Sequence, residues 1–488
     1  MSDYIEKVVN LMDPEGDILL DGSRAGAEAA IRSGDASKVA KIRGQFAILQ
    51  QQGKSVLMAR SIGRPMRFFL AKRSEGPCLI VAERIDEIHE QLRREGLADQ
   101  FHPSYTRMVP AHHLMRLELV GCPDPNPQLH RFFNPKRNVL PSEVEVIGHR
   151  YISALVDACD EWLDSLEPRA PIGVLFSGGI DSGAVLCALL HGLQKRGETP
   201  QRLKAFTLRV HPDAASLGST LGAGANGAGA SAANSTIAGG DDADQANRFL
   251  EAIGQAMLLE VINADPAALD WRATVRVLED YKPLDIESGT MARLLCQGIR
   301  QRYPDFRYVV DGDGGDENLK DYPIEDNPEL TIRSVLNNQM LYQEGWGVDA
   351  VKHSLVYSGG QSRGHIRTSA PARSAGLVGF SPFALPEVIE VAEGIPFIEM
   401  CGWDHQRLYD LKGRVVHAGV KSVTGIDMPI FPKRRFQHGV AERRITQSLF
   451  PSDPLVYRRA FDEMFTSEKL SAERAPREPA TSSDAATA

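Results

Sequence analysis

The chain has 488 residues, of which 42% are hydrophobic and 24% charged, and its formal net charge is −9. The length allows two domains and the composition is typical of a soluble globular protein, whereas the acidic balance argues against a nucleic-acid surface. No apolar run reaches the roughly 18 residues that a membrane-spanning helix needs. Six cysteines without a CxxC pair predict a reducing, cytoplasmic location rather than a disulfide framework.

The first part of the chain, residues 1–135, alternates short apolar runs with turns and predicts β-strands in sheets packed face to face. The opening stretch MSDYIEKVV is polar and has a helix-like pattern. Gly53 begins a GKS sequence without the upstream glycine of a nucleotide-binding loop, so it predicts a hairpin turn. The predicted strands are FAIL at 46–49, SVLMARS at 55–61, RFFLAKR at 67–73 and CLIVAER at 78–84.

A polar, proline-containing linker is predicted at 136–143, and a second domain follows over 144–450. A helical period over 144–166 alternates there with the strands GVLF, LKAFTLRV and FRYVV, which predicts an α/β fold with a doubly wound parallel sheet. Residues 214–240 are rich in glycine and alanine and predict a low-complexity insertion. The C-terminal tail, 451–488, is expected to be partly disordered.

The sequence SGGIDS at 177–182 lies between an apolar strand and a helix, which is the setting of a phosphate-binding loop. Its glycines let the backbone approach an anion, and its serines add hydroxyl donors. It is not a Walker A loop, because no Gly-Lys-Ser/Thr follows. Asp181 puts a carboxylate into this anion site, which is explained if a cation is bound beside the phosphates.

A second motif, DGDGGDE at 311–317, follows the strand FRYVV and carries four carboxylates in seven residues. Such a cluster repels itself unless a cation or a proton is bound. An EF-hand is excluded because Gly315, Asp316 and Tyr322 stand where a calcium loop needs other residues. A solvated acidic turn is the simpler alternative, but together with Asp181 the cluster predicts a Mg²⁺ site that holds a polyphosphate.

The basic stretch FPKRRFQHG at 431–439 offers Lys433 as a cation for the developing charge of a nucleotide. Surface charge is the simpler interpretation of its composition alone. His112 and His113 have no metal-ligand spacing and are interpreted as structural.

These motifs in this order resemble the asparagine synthetase family, including its β-lactam synthetase branch. SGGIDS is similar to the SGG[IL]DS pyrophosphate loop of that family, and DGDGGDE is similar to its SGEGxDE loop. Residues 381–396 are similar to its VPFLD…IP segment, and residues 432–440 to its RPKxxFxxGV segment. GQFAILQQQGKSVLMARSIGRPMRFF is similar to its glutaminase-domain pattern. The resemblance implies a truncated, Ntn-hydrolase-like α+β β-sandwich, followed by a PP-loop synthetase domain with a helical C-terminal part.

The resemblance also implies a reaction. A substrate carboxylate attacks the α-phosphorus of ATP to give an acyl-adenylate and pyrophosphate, and a nitrogen nucleophile then displaces AMP. Asp181 and Asp316 would hold Mg²⁺, and Lys433 would stabilise charge at phosphorus, with Lys412 in the helix before it. Pyrophosphate contacts are implied for Ser177, Gly178, Gly179, Ser182 and Gly312, and adenine contacts for Leu175 and Leu208.

Three departures from the family pattern affect the expected substrates. Glutamine-using members begin with a cysteine after the initiator methionine, whereas this chain reads MSDYIEKVV, which implies no glutaminase activity. Asp313 replaces the glutamate of the acidic loop, and Tyr342 or Glu344 is expected to complete a base pair with it. Leu385 replaces the PFLD aspartate, which argues against aspartate as the substrate.

The leading hypothesis is therefore an amide ligase of natural-product metabolism, such as antibiotic biosynthesis. It acts on a small carboxylic acid and an amine, within one molecule or between two, with neither a nucleic acid nor a membrane as partner. An ammonia-dependent asparagine synthetase and a non-catalytic ATP-binding scaffold are the alternatives, and a homodimer is compatible with each of them.

Overall fold

The computed structural model describes residues 6–120, 126–211, 242–321, 324, 331–337, 363–431 and 448–473. The strands are β1 (Lys7–Asn10), β2 (Ile18–Leu19), β3 (Gly44–Gln45), β4 (Ala47–Gln52), β5 (Ser55–Arg60), β6 (Arg67–Ala71), β7 (Cys78–Ala82), β8 (Arg107–Met108), β9 (His113–Glu118), β10 (Gln128–Arg131), β11 (Ile172–Leu175), β12 (Leu203–Val210), β13 (Leu259–Ala264), β14 (Tyr308–Val310) and β15 (Val378–Phe380). The α-helices are α1 (Arg24–Arg32), α2 (Ala36–Val39), α3 (Ile85–Arg94), α4 (Val144–Ser165), α5 (Ile180–Lys195), α6 (Asp242–Ala252), α7 (Trp271–Leu278), α8 (Pro283–Arg302), α9 (Gly315–Leu319), α10 (Ile332–Asn337), α11 (Arg363–Ser374), α12 (Pro386–Glu393), α13 (Phe397–Cys401), α14 (His405–Thr424) and α15 (Pro454–Glu473).

Two four-stranded sheets form the N-terminal part, in the orders β1-β7-β6-β8 and β10-β9-β5-β4. They pack face to face, because Met58 and Met115 from one sheet share a core with Phe68 and Val81 from the other. The predicted strands β4 to β7 are confirmed. So is the hairpin turn at Gly53, which has φ 57° and separates β4 from β5.

The start of the described chain corrects one expectation. Lys7–Asn10 is a strand that pairs in parallel with β7, not a helix. Its two central residues, Val8 and Val9, are β-branched and pack against the apolar clusters on the two faces of the sheet. The pairing with β7 outweighs the local helix-like pattern.

The second part contains a five-stranded sheet in the order β13-β12-β11-β14-β15, with every strand parallel. Val174 faces a core formed with α4, α5 and α14. Leu175, next in sequence, faces a core formed with α8. Helices therefore cover both faces, and the predicted doubly wound sheet is confirmed.

The strand order places a topological switch point between β11 and β14. From β11 the chain continues to β12 and β13 on one side of the sheet, and β14 and β15 lie on the other side. Connections therefore diverge at the carboxyl ends of β11 and β14, which is where open α/β sheets bind ligands.

The two parts of the molecule meet along α3, α7 and α15. Ile88 of α3, Leu278 of α7 and Phe461 of α15 belong to one buried cluster. The predicted tail, 451–488, begins with the helix α15, which packs in this cluster, and residues 474–488 lie outside the described residues. Within the described ranges no helix combines the length and apolar character needed to cross a bilayer.

Candidate active site

The phosphate-type loop follows β11 and leads directly into α5. Ser177 Oγ accepts a hydrogen bond of 3.2 Å from the Gly179 N–H and lies 3.3 Å from Ser182 Oγ. Gly178 has φ 70°, and a Cβ there would lie 2.8 Å from the Ala246 nitrogen of α6. Glycine is required at this position because both the conformation and the space exclude a side chain. The loop thus directs hydroxyl and N–H groups toward the beginning of a 16-residue helix.

The acidic loop follows β14 and lies directly against the first turn of α5. A Cβ on Gly315 would lie 2.3 Å from Asp181 Oδ1, and one on Gly312 would lie 2.8 Å from the Ser182 nitrogen. Side chains at these positions would push the two loops apart. The motifs SGGIDS and DGDGGDE, predicted separately from the sequence, are therefore in contact at the switch point.

Lys412 of α14 joins the acids of the two loops. Its Nζ donates a hydrogen bond of 2.6 Å to Asp181 Oδ2, contacts Asp316 Oδ1, and lies 3.4 Å from Asp321 Oδ2. Burial by itself would lower the pKa of Lys412, but the charges of these three carboxylates outweigh it and raise that pKa well above its ordinary value. The ammonium group therefore stays charged at any physiological pH.

The same two carboxylates fit the Mg²⁺ that the resemblance implies. Asp181 and Asp316 come from opposite loops and lie close enough to share one cation, because both contact the ammonium nitrogen of Lys412, which occupies the point between them. No cluster of three or more His, Cys, Asp or Glu in the described residues could hold a metal. Magnesium, however, is commonly held by only one or two carboxylates together with phosphate oxygens. Asp181 and Asp316 would hold the ion, which when bound supplies positive charge to the phosphates.

A second acidic group, Asp311 with Asp313, lies on the other side of the acidic loop. Burial raises the pKa of Asp313 well above its usual value and the charge of Asp311 adds to the effect, while a hydrogen bond from Thr368 opposes it. Burial likewise raises the pKa of Asp311, against a hydrogen bond from Ser381. The Asp313 N–H donates to Asp311 Oδ1 over 3.1 Å, which holds the two residues close together.

An arginine lies near this pair. Arg367 of α11 lowers the pKa of Asp313 through its charge, and its Nε donates to Asp285 Oδ1 over 2.8 Å. The side chain of Asp285 is fully buried. Arg367 is therefore held in place by a buried carboxylate on α8.

The residues expected near adenine lie on neighbouring strands. Leu175 ends β11, and Leu208 lies toward the carboxyl end of β12. Both side chains are buried in the core shared with α8. An adenine contact there would involve the backbone more than the side chains.

Three of the expected catalytic residues, Lys433, Tyr342 and Glu344, lie outside the described residues. Sequence reasoning missed Asp321 and Arg367. Asp321 lies four residues after the acidic motif DGDGGDE, so its charge and position could have identified it as a site residue. Arg367 lies in a basic helix with no motif around it.

The fold and the site define an α/β protein whose two loop motifs meet where the strand order of its parallel sheet reverses, which is where proteins of this fold class bind ligands. The family model described as asparagine synthase matches residues 153–362. This region is therefore an asparagine synthetase-like domain, and the match supports an ATP-dependent C–N ligase in general terms. It does not separate asparagine synthetases from β-lactam synthetases. A comparison with curated proteins returned no match.

Proposed function

We propose that this protein is an AMP- and pyrophosphate-forming amide ligase that joins a small carboxylic acid to an amine in the cytoplasm without hydrolysing glutamine. One observation carries the proposal: Asp181 of the phosphate-type loop and Asp316 of the acidic loop meet at Lys412 Nζ. A loop rich in N–H groups with two acids beside it suits the departure of pyrophosphate together with a bound cation. Transfer of a γ-phosphoryl group would instead need a lysine in the loop.

In the first step an oxygen of the substrate carboxylate bonds to the α-phosphorus of ATP, and the bond from that phosphorus to the bridging oxygen of pyrophosphate breaks. Ser177, Gly179 and Ser182 bind the departing pyrophosphate through hydroxyl and N–H groups. Lys412 orients Asp181 and Asp316 and keeps a positive charge beside them. Lys433 would stabilise the charge that develops at phosphorus.

In the second step an amine nitrogen bonds to the acyl carbon, and the carbon–oxygen bond to AMP breaks. The amine must first lose a proton. Asp313 is the base in this proposal, because its pKa is raised toward the range in which it can accept a proton from an ammonium. Tyr342 or Glu344 would assist it.

The wall around Asp313 favours a cationic amine. Asp311 and Glu317 are buried there, Asp313 is half-buried, and Arg367 is already held by Asp285. The excess of carboxylates suits a primary ammonium group. The amine belongs either to a second molecule or to the activated acid itself, in which case the product is a cyclic amide such as a β-lactam of natural-product metabolism.

The thiols of the described residues support independence from glutamine. A glutaminase nucleophile needs an accessible thiol with a normal or lowered pKa. Burial instead raises the pKa of the cysteines in the described part of the chain, which are Cys78, Cys159, Cys187, Cys296 and Cys401.

The test is nucleotide turnover by the full chain with Mg²⁺, α-labelled ATP and a panel of carboxylic acids and amines. AMP with pyrophosphate, formed only when a matching acid and amine are both present, supports the proposal. ADP as the nucleotide product contradicts it. Turnover with aspartate and ammonia alone supports the asparagine synthetase instead, and no turnover with any pair, although ATP binds, supports the scaffold.

A further inference from the structure

A cavity of about 330 Å³ lies between the N-terminal sheets and the edge of the parallel sheet. In the described part of the chain, β15 pairs with β14 alone, so its other edge faces this cavity. The volume is at the lower end of the ~300–1,000 Å³ range of small-molecule sites. Residues from both parts of the molecule line it, among them Gln45, Arg64, Arg307, Arg373, Leu377 and Gly379.

Two guanidinium groups of the cavity share one carboxylate oxygen. Arg64 Nη1 lies 2.5 Å from Glu83 Oε1, and Arg373 Nη1 contacts the same oxygen. Arg64 has a further contact with Asp17, at 3.3 Å from its Nε. Burial lowers the pKa of Arg373, and the charge of Arg64 adds to that effect while Glu83 opposes it. Three arginines thus share two carboxylates here, because Glu83 contacts Arg64 and Arg373, and Asp17 contacts Arg64 and Arg24.

The edge of β15 adds a backbone donor. The Val378 N–H donates to the Arg307 carbonyl over 2.8 Å, so the backbone N–H and C=O groups of Val378 are directed toward β14. Alternate residues of a strand bond to opposite sides. The N–H of Gly379 consequently points away from β14, toward the cavity.

The charges at the mouth differ from those inside. Asp13 and Glu15 line the mouth and are exposed, and Glu15 lies 4.0 Å from Arg307. Arg64 is only 4% exposed. Among the lining side chains the acids are therefore screened by water, and the buried charge is a guanidinium whose partners Asp17 and Glu83 do not line the cavity.

We propose that this cavity binds a small organic acid, whose carboxylate contacts Arg373 and the Gly379 N–H. Residues of both parts of the molecule line the cavity, so the bound acid lies at their junction. This site is distinct from the one at Asp181 and does not depend on the ligase chemistry.

The test is titration calorimetry of the full chain with succinate. The wild type is expected to bind succinate saturably at one site. Arg373→Gln should weaken binding at least about tenfold, equivalent to about 1.4 kcal/mol, because a charge-assisted pair is lost. Arg307→Gln, which changes a half-exposed side chain, should weaken it several-fold without affecting the fold.

The matched control is Arg302→Gln, because Arg302 pairs with Glu260 at the opposite edge of the sheet. This variant should bind succinate as the wild type does. The proposal is overturned if the wild type shows no saturable binding, or if Arg307→Gln and Arg373→Gln both bind with wild-type affinity. It is also overturned if inorganic phosphate binds as tightly as succinate, because the site would then take any oxyanion.

Discussion

Gly315 and Asp181 are in direct contact across the switch point of the parallel sheet. A Cβ on Gly315 would lie 2.3 Å from Asp181 Oδ1 and 2.4 Å from its Cγ. The contact brings the acidic loop against the first turn of α5, so that Asp316 can share Lys412 with Asp181. The geometry of the proposed pyrophosphate site therefore depends on a glycine at position 315.

Gly315→Ala should reduce pyrophosphate release about 100-fold, because a displacement of about 1 Å at a reacting centre has that effect. Steady-state assays with the matching acid and amine measure it. The control is Gly26→Ala on α1, where a Cβ meets only Ser23 Oγ at 3.5 Å. Equal activity in both variants would contradict the proposed role of the loop contact.

Lys412→Met should lower the free energy of unfolding by about 3 kcal/mol, because removing one partner of a buried ion pair leaves the other charge uncompensated. Asp181, Asp316 and Asp321 all lose their shared ammonium group. Urea denaturation measures the change. Lys421→Met, on the exposed part of the same helix and paired with Asp427, should cost less than about 1 kcal/mol. Similar midpoints for the two variants would count against a buried charge cluster.

Asp313→Asn should change the pH dependence of stability. Because the pKa of the folded-state carboxyl is raised above 3.8, the folded protein keeps a proton that the unfolded chain releases. The free energy of unfolding therefore falls as the pH rises from 3.8 through the raised value. Asn has no proton to lose, so the variant should show a shallower fall and greater stability at neutral pH, with amide formation abolished.

Chemical denaturation at a series of pH values measures this slope. Asp410→Asn is the control, because Asp410 is exposed on α14. Its curve should run parallel to that of the wild type. A parallel curve for Asp313→Asn as well would show that this carboxyl titrates normally.

Glu279→Gln should weaken the junction between the two parts of the molecule. Glu279 is 1% exposed, accepts hydrogen bonds of 2.9 Å from the Ile85 and Asp86 N–H groups at the start of α3, and lies 3.5 Å from Arg67. Loss of its charge should cost about 3 kcal/mol in thermal or urea unfolding. The control is Glu90→Gln at an exposed site on α3, the helix whose first N–H groups Glu279 binds, and it should cost less than about 1 kcal/mol. Equal losses would mean that Glu279 does not hold the junction.

The parts of the site that are formed by residues close together in the sequence could be predicted from it. The strand, glycine turn and helix of SGGIDS lie within seventeen residues, so their periodicities and turn chemistry predict the loop directly. The ion pair of Lys412 with Asp181 joins residues 231 positions apart, and no local pattern reports it. Lys412 was expected to be a catalytic residue in the helix before Lys433, without its contacts to Asp181 and Asp316.

The same reasoning explains two segments of the fold that no local pattern predicts. Lys7–Asn10 forms a strand because β7, about seventy residues away, offers an edge to pair with. The helix α15 is ordered because Tyr457 and Phe461 enter a cluster built from distant elements. Tertiary contacts decide both segments, and local propensity does not.

The most direct test of the central claim follows the oxygen of the substrate carboxylate. The acid that triggers turnover is labelled with ¹⁸O in its carboxylate, and the nucleotide and phosphate products are analysed by mass spectrometry. Formation of an acyl-adenylate predicts that one ¹⁸O atom appears in AMP and none in pyrophosphate. Label in inorganic phosphate, or amide formation without label in AMP, would contradict the account.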